Sequence, residues 1–177
     1  MGKNIFFGLA VLFLISSCNA QNMMIDKTVV KDLDIEKYLG TWYEIARFDH
    51  GFERDLTGVT ATYSFREDGK IKVVNSGYKG SLNGPKSDVT GKAKIPDPAV
   101  PSKLKVSFFL FFYGDYYVLE LDKEYQWAAV GSRSDKFLWI LSRSPQMDEN
   151  LYAEITNKLA ARGYDISKLI RVEQKSD

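Results

Sequence analysis

The chain of 177 residues has one cysteine, one histidine, five prolines and no marked excess of either charge. Each scarcity excludes a class of protein. A lone Cys18 rules out an intramolecular disulfide and any metal site built from several thiolates. A lone His50 leaves no imidazole cluster, and the carboxylates are not grouped as ligands, so neither metal nor cofactor is expected. The formal charge of +1 gives nothing to steer the chain to nucleic acid. The apolar run Ile5 to Ile15 has eleven residues, whereas a membrane-spanning helix needs about 20.

That run, with Lys3 before it, suits a secretory signal peptide. Leu14-Ile15-Ser16-Ser17-Cys18 then resembles a bacterial lipobox, whose cysteine becomes the lipid-modified first residue of the mature chain. Cleavage after Ala20 by the ordinary signal peptidase, or an incidental thiol, are the competing readings. Asn19 is not the aspartate that retains lipoproteins in the inner membrane of enteric bacteria, so the expected location is the outer membrane, with Cys18 as anchor. The chain thus divides into a signal peptide (residues 1–17), a tether (18–33) and one domain (34–175). Loss of residues 1–17 leaves 23 basic and 23 acidic residues.

What is present is alternation. From Trp42 onward, apolar and polar residues alternate in short runs, with turn residues every eight to twelve positions, the mark of an all-β sandwich or barrel. Eight runs follow one another with short links, beginning with Trp42-Glu44-Ala46-Phe48 and ending with Phe137-Trp139-Leu141. Such order favours an up-and-down antiparallel barrel, which closes and removes its own edges. Asp34 to Tyr38, just before the first strand, is too short for a stable helix by itself. After Pro145 the period changes: Leu151, Ile155 and Leu159 predict one amphipathic helix, capped by Asp148 and ended at Gly163. Leu169 to Val172 reads as a short ninth strand.

Eight strands enclose either a filled core or one small ligand. Small residues (Ala46, Ala61, Gly91, Ala93, Ala129, Gly131) alternate with large ones (Phe48, Tyr63, Phe108, Tyr117, Trp139) on the expected inner face. That pattern leaves cavity and filled core equally open. Phe108 to Tyr113 is dense in aromatics at a strand end and is a candidate for dimerisation or membrane contact.

At this point the motifs accumulate. Gly40-Thr41-Trp42-Tyr43 before the first strand, eight strands, Arg143 closing the last, and then a helix resemble the lipocalin family. Within it the chain is similar to the bacterial outer-membrane lipoprotein lipocalins related to apolipoprotein D. Gly40-x-Trp42 is the first family motif and Arg143 the third, and together they imply a structural plug of indole and guanidinium at the closed end. The second motif, commonly Thr-Asp-Tyr, is Gly114-Asp115-Tyr116 here. The resemblance implies a calyx that binds a hydrophobic small molecule, a fatty acid or lysophospholipid. Its expected wall is Phe48, Val59, Ala61, Val73, Asn75, Val106, Phe108, Tyr117 and Trp139, with Asn75 or Tyr117 meeting a polar head.

Catalysis is the competing class. His50 beside Asp49 reads as a local hydrogen-bonding pair, and Glu53 and Asp55 as a solvated loop. No Gly-x-Ser-x-Gly elbow is present. The expectation is a carrier and not an enzyme. A lipocalin-fold enzyme acting on a lipophilic substrate, or a surface lipoprotein with a filled barrel, are the alternatives.

Overall fold

A computed structural model describes residues 24–175; the signal peptide, Cys18 and the first part of the expected tether lie outside the described residues. Nine strands form one sheet. They are β1 (Gly40–Phe48), β2 (Leu56–Phe65), β3 (Ile71–Lys79), β4 (Lys86–Lys94), β5 (Lys103–Phe109), β6 (Phe112–Leu121), β7 (Trp127–Gly131), β8 (Leu138–Ser142) and β9 (Leu169–Arg171). Each of the first eight pairs antiparallel with its neighbour in sequence, and β1 pairs with both β8 and β2, closing the barrel. β9 pairs with β1 where β2 has diverged from it. Asp34 to Tyr38 does form one helical turn, α1 (Ile35–Tyr38), because Asp34 Oδ1 accepts from the Glu36 and Lys37 N–H groups and Tyr38 is buried. Tertiary packing supplies what local propensity lacks.

The closed end lies at α1, the start of β1 and the β2–β3 turn; the open end carries the β1–β2, β3–β4, β5–β6 and β7–β8 loops. At the closed end the Arg143 guanidinium lies 3.8 Å from the Trp42 ring centroid. Its Nη1 donates to Thr41 O and its Nη2 to Lys37 O and Leu39 O, each at 2.8 Å, while Trp42 Nε1 donates to Tyr38 O. Gly40 has φ +93°, a backbone conformation strained for any other residue, and a Cβ there would sit 3.3 Å from Arg143 Nη1, a tight contact.

Helix α2 (Glu149–Ala161) packs on the outside, capped by Asp148 and followed by Gly163 at φ +92°. Its Ile155 and Leu159 are fully buried against Ile45, Ala46, Phe48, Leu119 and Leu138. A second cluster, around Trp42, Tyr63, Val73, Leu104, Val118 and Val130, fills the lower barrel.

Two one-residue bulges set which side chains reach which cluster. Opposite β8, Glu44 pairs with Leu141 and Ala46 with Ile140, so Ile45 is the extra residue. Past it the inward parity moves from even to odd positions: Trp42 and Glu44 face in, then Arg47, while Phe48 faces the helix. β6 repeats the device at Leu119, between the pairs Val118–Val130 and Glu120–Ala129. Leu121 faces the inner cluster, but across the bulge Tyr116 and Val118 face in, and Tyr117 faces out. Phe48 and Tyr117, expected in the cavity wall, therefore belong to the outer layer beneath α2, together with Ala46 and Ala129.

Candidate functional site

Above the lower cluster the barrel holds a cavity of about 900 Å3 that opens between the mouth loops. Small-molecule sites span roughly 300–1,000 Å3. The interior is thus not filled. Seven of the nine expected wall residues line it: Val59, Ala61, Val73, Asn75, Val106, Phe108 and Trp139. Phe108 packs close against β4 because Gly91 has no side chain: a Cβ there would meet the Phe108 ring at 2.6 Å.

The floor is a hydroxyl triad. Tyr63 Oη donates to Tyr116 Oη at 3.0 Å, and Tyr38 Oη lies 2.7 Å from the same atom. Burial raises all three phenol pKa values above the ordinary tyrosine range, so the hydroxyls keep their protons at physiological pH. Beneath them, Tyr38 packs 4.9 Å from Trp42, so cavity floor and closed-end plug are one stack.

The upper wall contains polar groups that sequence reasoning did not single out. Glu44 and Glu53 both line the cavity and are 4% and 5% exposed, respectively. Glu53 had the look of a solvated loop residue. The β1–β2 loop folds back, its Glu53 N–H donating to His50 O, and this brings the carboxylate to Trp139, whose Nε1 donates to Oε2 at 3.1 Å. Arg47 Nη1 donates to Glu44 Oε1 at 2.7 Å and Nη2 to Glu53 O at 2.8 Å. Burial, and next the nearby Glu53 charge, push the Glu44 pKa well above the usual carboxylate range. The Glu44 position was legible two residues from Trp42; the role of Glu53 depended on the loop path.

His50 is buried, stacks on Phe52 with centroids 4.0 Å apart, and places Nε2 3.1 Å from Glu53 Oε2. That approach lacks hydrogen-bond alignment, and neither ring nitrogen has a hydrogen-bond partner among the described residues. The anticipated Asp49 contact is replaced, since Asp49 pairs at the surface with Arg54. Asn75 Oδ1 is likewise without a partner among the described residues, in the cavity wall. It can accept a hydrogen bond from a bound molecule. The second-motif segment lies inside β6, where Asp115 pairs with Lys105 and Arg133 beside the mouth. Among the described residues no group of His, Cys, Asp and Glu is arranged to hold a metal ion.

An antiparallel barrel shut at one end, with a largely apolar cavity open at the other, is a calyx: a container for a hydrophobic small molecule. Residues 33–174 match the lipocalin-like domain model. The chain belongs to the lipocalin family. It is 45% identical to the outer membrane lipoprotein Blc of Escherichia coli strain K12 over 162 residues, covering 92% of this chain and 91% of that protein. It is also 32% identical to apolipoprotein D of Mus musculus over 173 residues, with 91% and 89% covered. Among solved structures, insecticyanin from the tobacco hornworm Manduca sexta aligns with TM-score 0.68 at 26% identity, covering 85% of this chain and 86% of the other.

Proposed function

We propose that the protein is an outer-membrane lipoprotein that carries a single-chain lipid, a fatty acid or lysophospholipid, in the barrel cavity. The carrying observation is the cavity itself: about 900 Å3, walled by Val59, Ala61, Val73, Val106, Phe108 and Trp139, with most of its polar residues toward the mouth. Each methylene removed from water contributes about 0.8 kcal/mol, so an acyl tail supplies the affinity while the polar positions orient the head. The lipobox at Cys18 and the relatives named outer membrane lipoprotein support anchoring to the outer membrane.

The test is native mass spectrometry of the purified protein, followed by lipid extraction and titration with a fluorescent fatty acid. A co-purifying single-chain lipid, recovered chemically unchanged, is the expected result. Ala61→Phe, which narrows the cavity, and Phe108→Asp, which charges its wall, should each weaken probe binding by at least about tenfold. Folded variants that bind as wild type would refute the cavity as the site. Recovery of a chemically altered lipid would favour the enzyme alternative.

A further inference from the structure

The β5–β6 hairpin projects at the mouth with its apolar residues turned to solvent. Phe109, Leu110, Phe111 and Phe112 are 66%, 60%, 84% and 76% exposed. Phe109 and Phe112 stack across the hairpin, 6.3 Å apart at 15°, and so stiffen it into a blade. Leu110 has φ +46°, a turn conformation that favours glycine or asparagine, yet the side chain placed there is leucine. Across the mouth, Phe52 is 62% exposed and packs beside Phe137, extending the apolar rim.

The chain leading to the domain arrives at this same end. Lys27 pairs with Asp135 and donates to Arg133 O in the β7–β8 loop at the mouth. From there the segment descends along the wall: Val30 N–H donates to Val118 O at 3.0 Å, and Asp34 N–H to Tyr125 Oη at the closed end. Five residues lie between Cys18 and Met24, so at most about 20 Å of extended chain links a lipid on Cys18 to Met24, three positions before the mouth contact of Lys27. A strand of nine or ten residues spans roughly 30 Å, so a tether of that length leaving the closed end would hold the mouth much farther from the membrane.

We propose that the β5–β6 hairpin inserts into the bilayer interface and, with the lipid anchor, holds the mouth of the barrel against the membrane, so that lipid passes between bilayer and cavity without crossing water. The inference rests on the reading of Cys18 as the anchor. The contact is apolar. The mouth carries both signs of charge in pairs, Asp49 with Arg54, Lys86 with Asp88 and Asp115 with Arg133, so docking depends on the aromatic blade and is insensitive to salt.

The experiment uses the full chain, processed and lipidated in a bacterial host and incorporated into vesicles of phosphatidylethanolamine and phosphatidylglycerol. Because Cys18 is the sole cysteine and is consumed by lipidation, Phe111→Cys or Glu67→Cys introduces the sole free thiol for a nitroxide label. The label at 111 should be accessible to oxygen and shielded from a water-soluble relaxant, at low and high salt alike. The label at 67, in the turn at the closed end, should show the reverse. A second variant, Leu110→Asp with Phe111→Asp, alters two residues outside the cavity wall. It should slow uptake of a fluorescent fatty acid from the vesicles by about tenfold while its equilibrium affinity is unchanged. Protein that floats with the vesicles but keeps the 111 label in water overturns the hairpin contact and leaves the anchor standing. Protein that does not float overturns both. Spin–spin broadening at 111 that is independent of lipid would assign the blade to a second copy of the chain, and so refute the membrane contact.

Discussion

Replacing Arg143 by alanine is the sharpest test of how the barrel is closed. The guanidinium stacks on Trp42 at 3.8 Å and donates to the carbonyls of Thr41, Lys37 and Leu39. The stacking contributes about 0.5–2 kcal/mol. A hydrogen bond from a charged donor contributes about 1.5–3 kcal/mol where water does not replace it. The bonds to Thr41 O and Lys37 O are solvent-exposed and rehydrate; of the partly buried ones, that to Leu39 O at 2.8 Å is the strong one, since those to Tyr38 O and Tyr125 O are long at 3.3 Å. Stacking plus one retained bond gives a loss of about 2–5 kcal/mol. For a domain of this size each kcal/mol moves Tm by roughly 2–4 °C, so Tm should fall by about 4–20 °C. Arg143→Lys should recover only part of this, because an ammonium neither stacks as a plane nor reaches three carbonyls at once. Thermal unfolding followed by near-ultraviolet circular dichroism reads the effect. A fall of less than about 2 °C would refute the plug. So would lost fatty-acid binding in protein that is still folded, because it would move the pair into the binding site.

Phe48→Ala should cost about 3–5 kcal/mol of stability, because its ring packs under α2 against Tyr164, yet leave probe affinity of the folded protein unchanged. A selective loss of affinity would return Phe48 to the cavity. Shortening a saturated fatty acid by two carbons should weaken binding about 15-fold, at about 0.8 kcal/mol per methylene, measured by displacement of the fluorescent probe; a flat series would mean that the tail is not in the cavity. Glu44 supplies a pH test. Its folded-state pKa is raised, by burial and then by the Glu53 charge, so the native state holds a proton that the unfolded chain releases. The stability from that proton is full below the ordinary glutamate range and is lost as pH rises through the folded pKa. Denaturant titrations from pH 4 to 9 should show this decline, and Glu44→Gln should flatten it. An unchanged slope in the variant would locate the dependence elsewhere.

Much of the architecture was legible locally. Period-two alternation broken by turns required strands, and the shift to Leu151, Ile155 and Leu159 required one helix on the outside. Gly40, Trp42 and Arg143 pointed to the closed end through the family resemblance they carry, and the guanidinium does lie 3.8 Å from the indole centroid. Phe48 and Tyr117 show where local reading stops. Alternation counts by twos, and a bulge adds one residue that leaves no mark in composition: Ile45 and Leu119 look like any strand residue. One uncounted residue sends a side chain to the other face.

The sequence by itself determined the strand succession, the helix and the motif for a lipid anchor, since each is written in neighbouring residues, while the plug was implied by the family resemblance. Only the tertiary structure decided that the barrel encloses an open cavity, that Glu44 and Glu53 meet in its wall, and that the tether and the aromatic blade share the mouth. The reason is physical. Which residues face inward, and which loops share an end, depend on pairing register between strands distant in the chain, and register is set by the closed sheet as a whole.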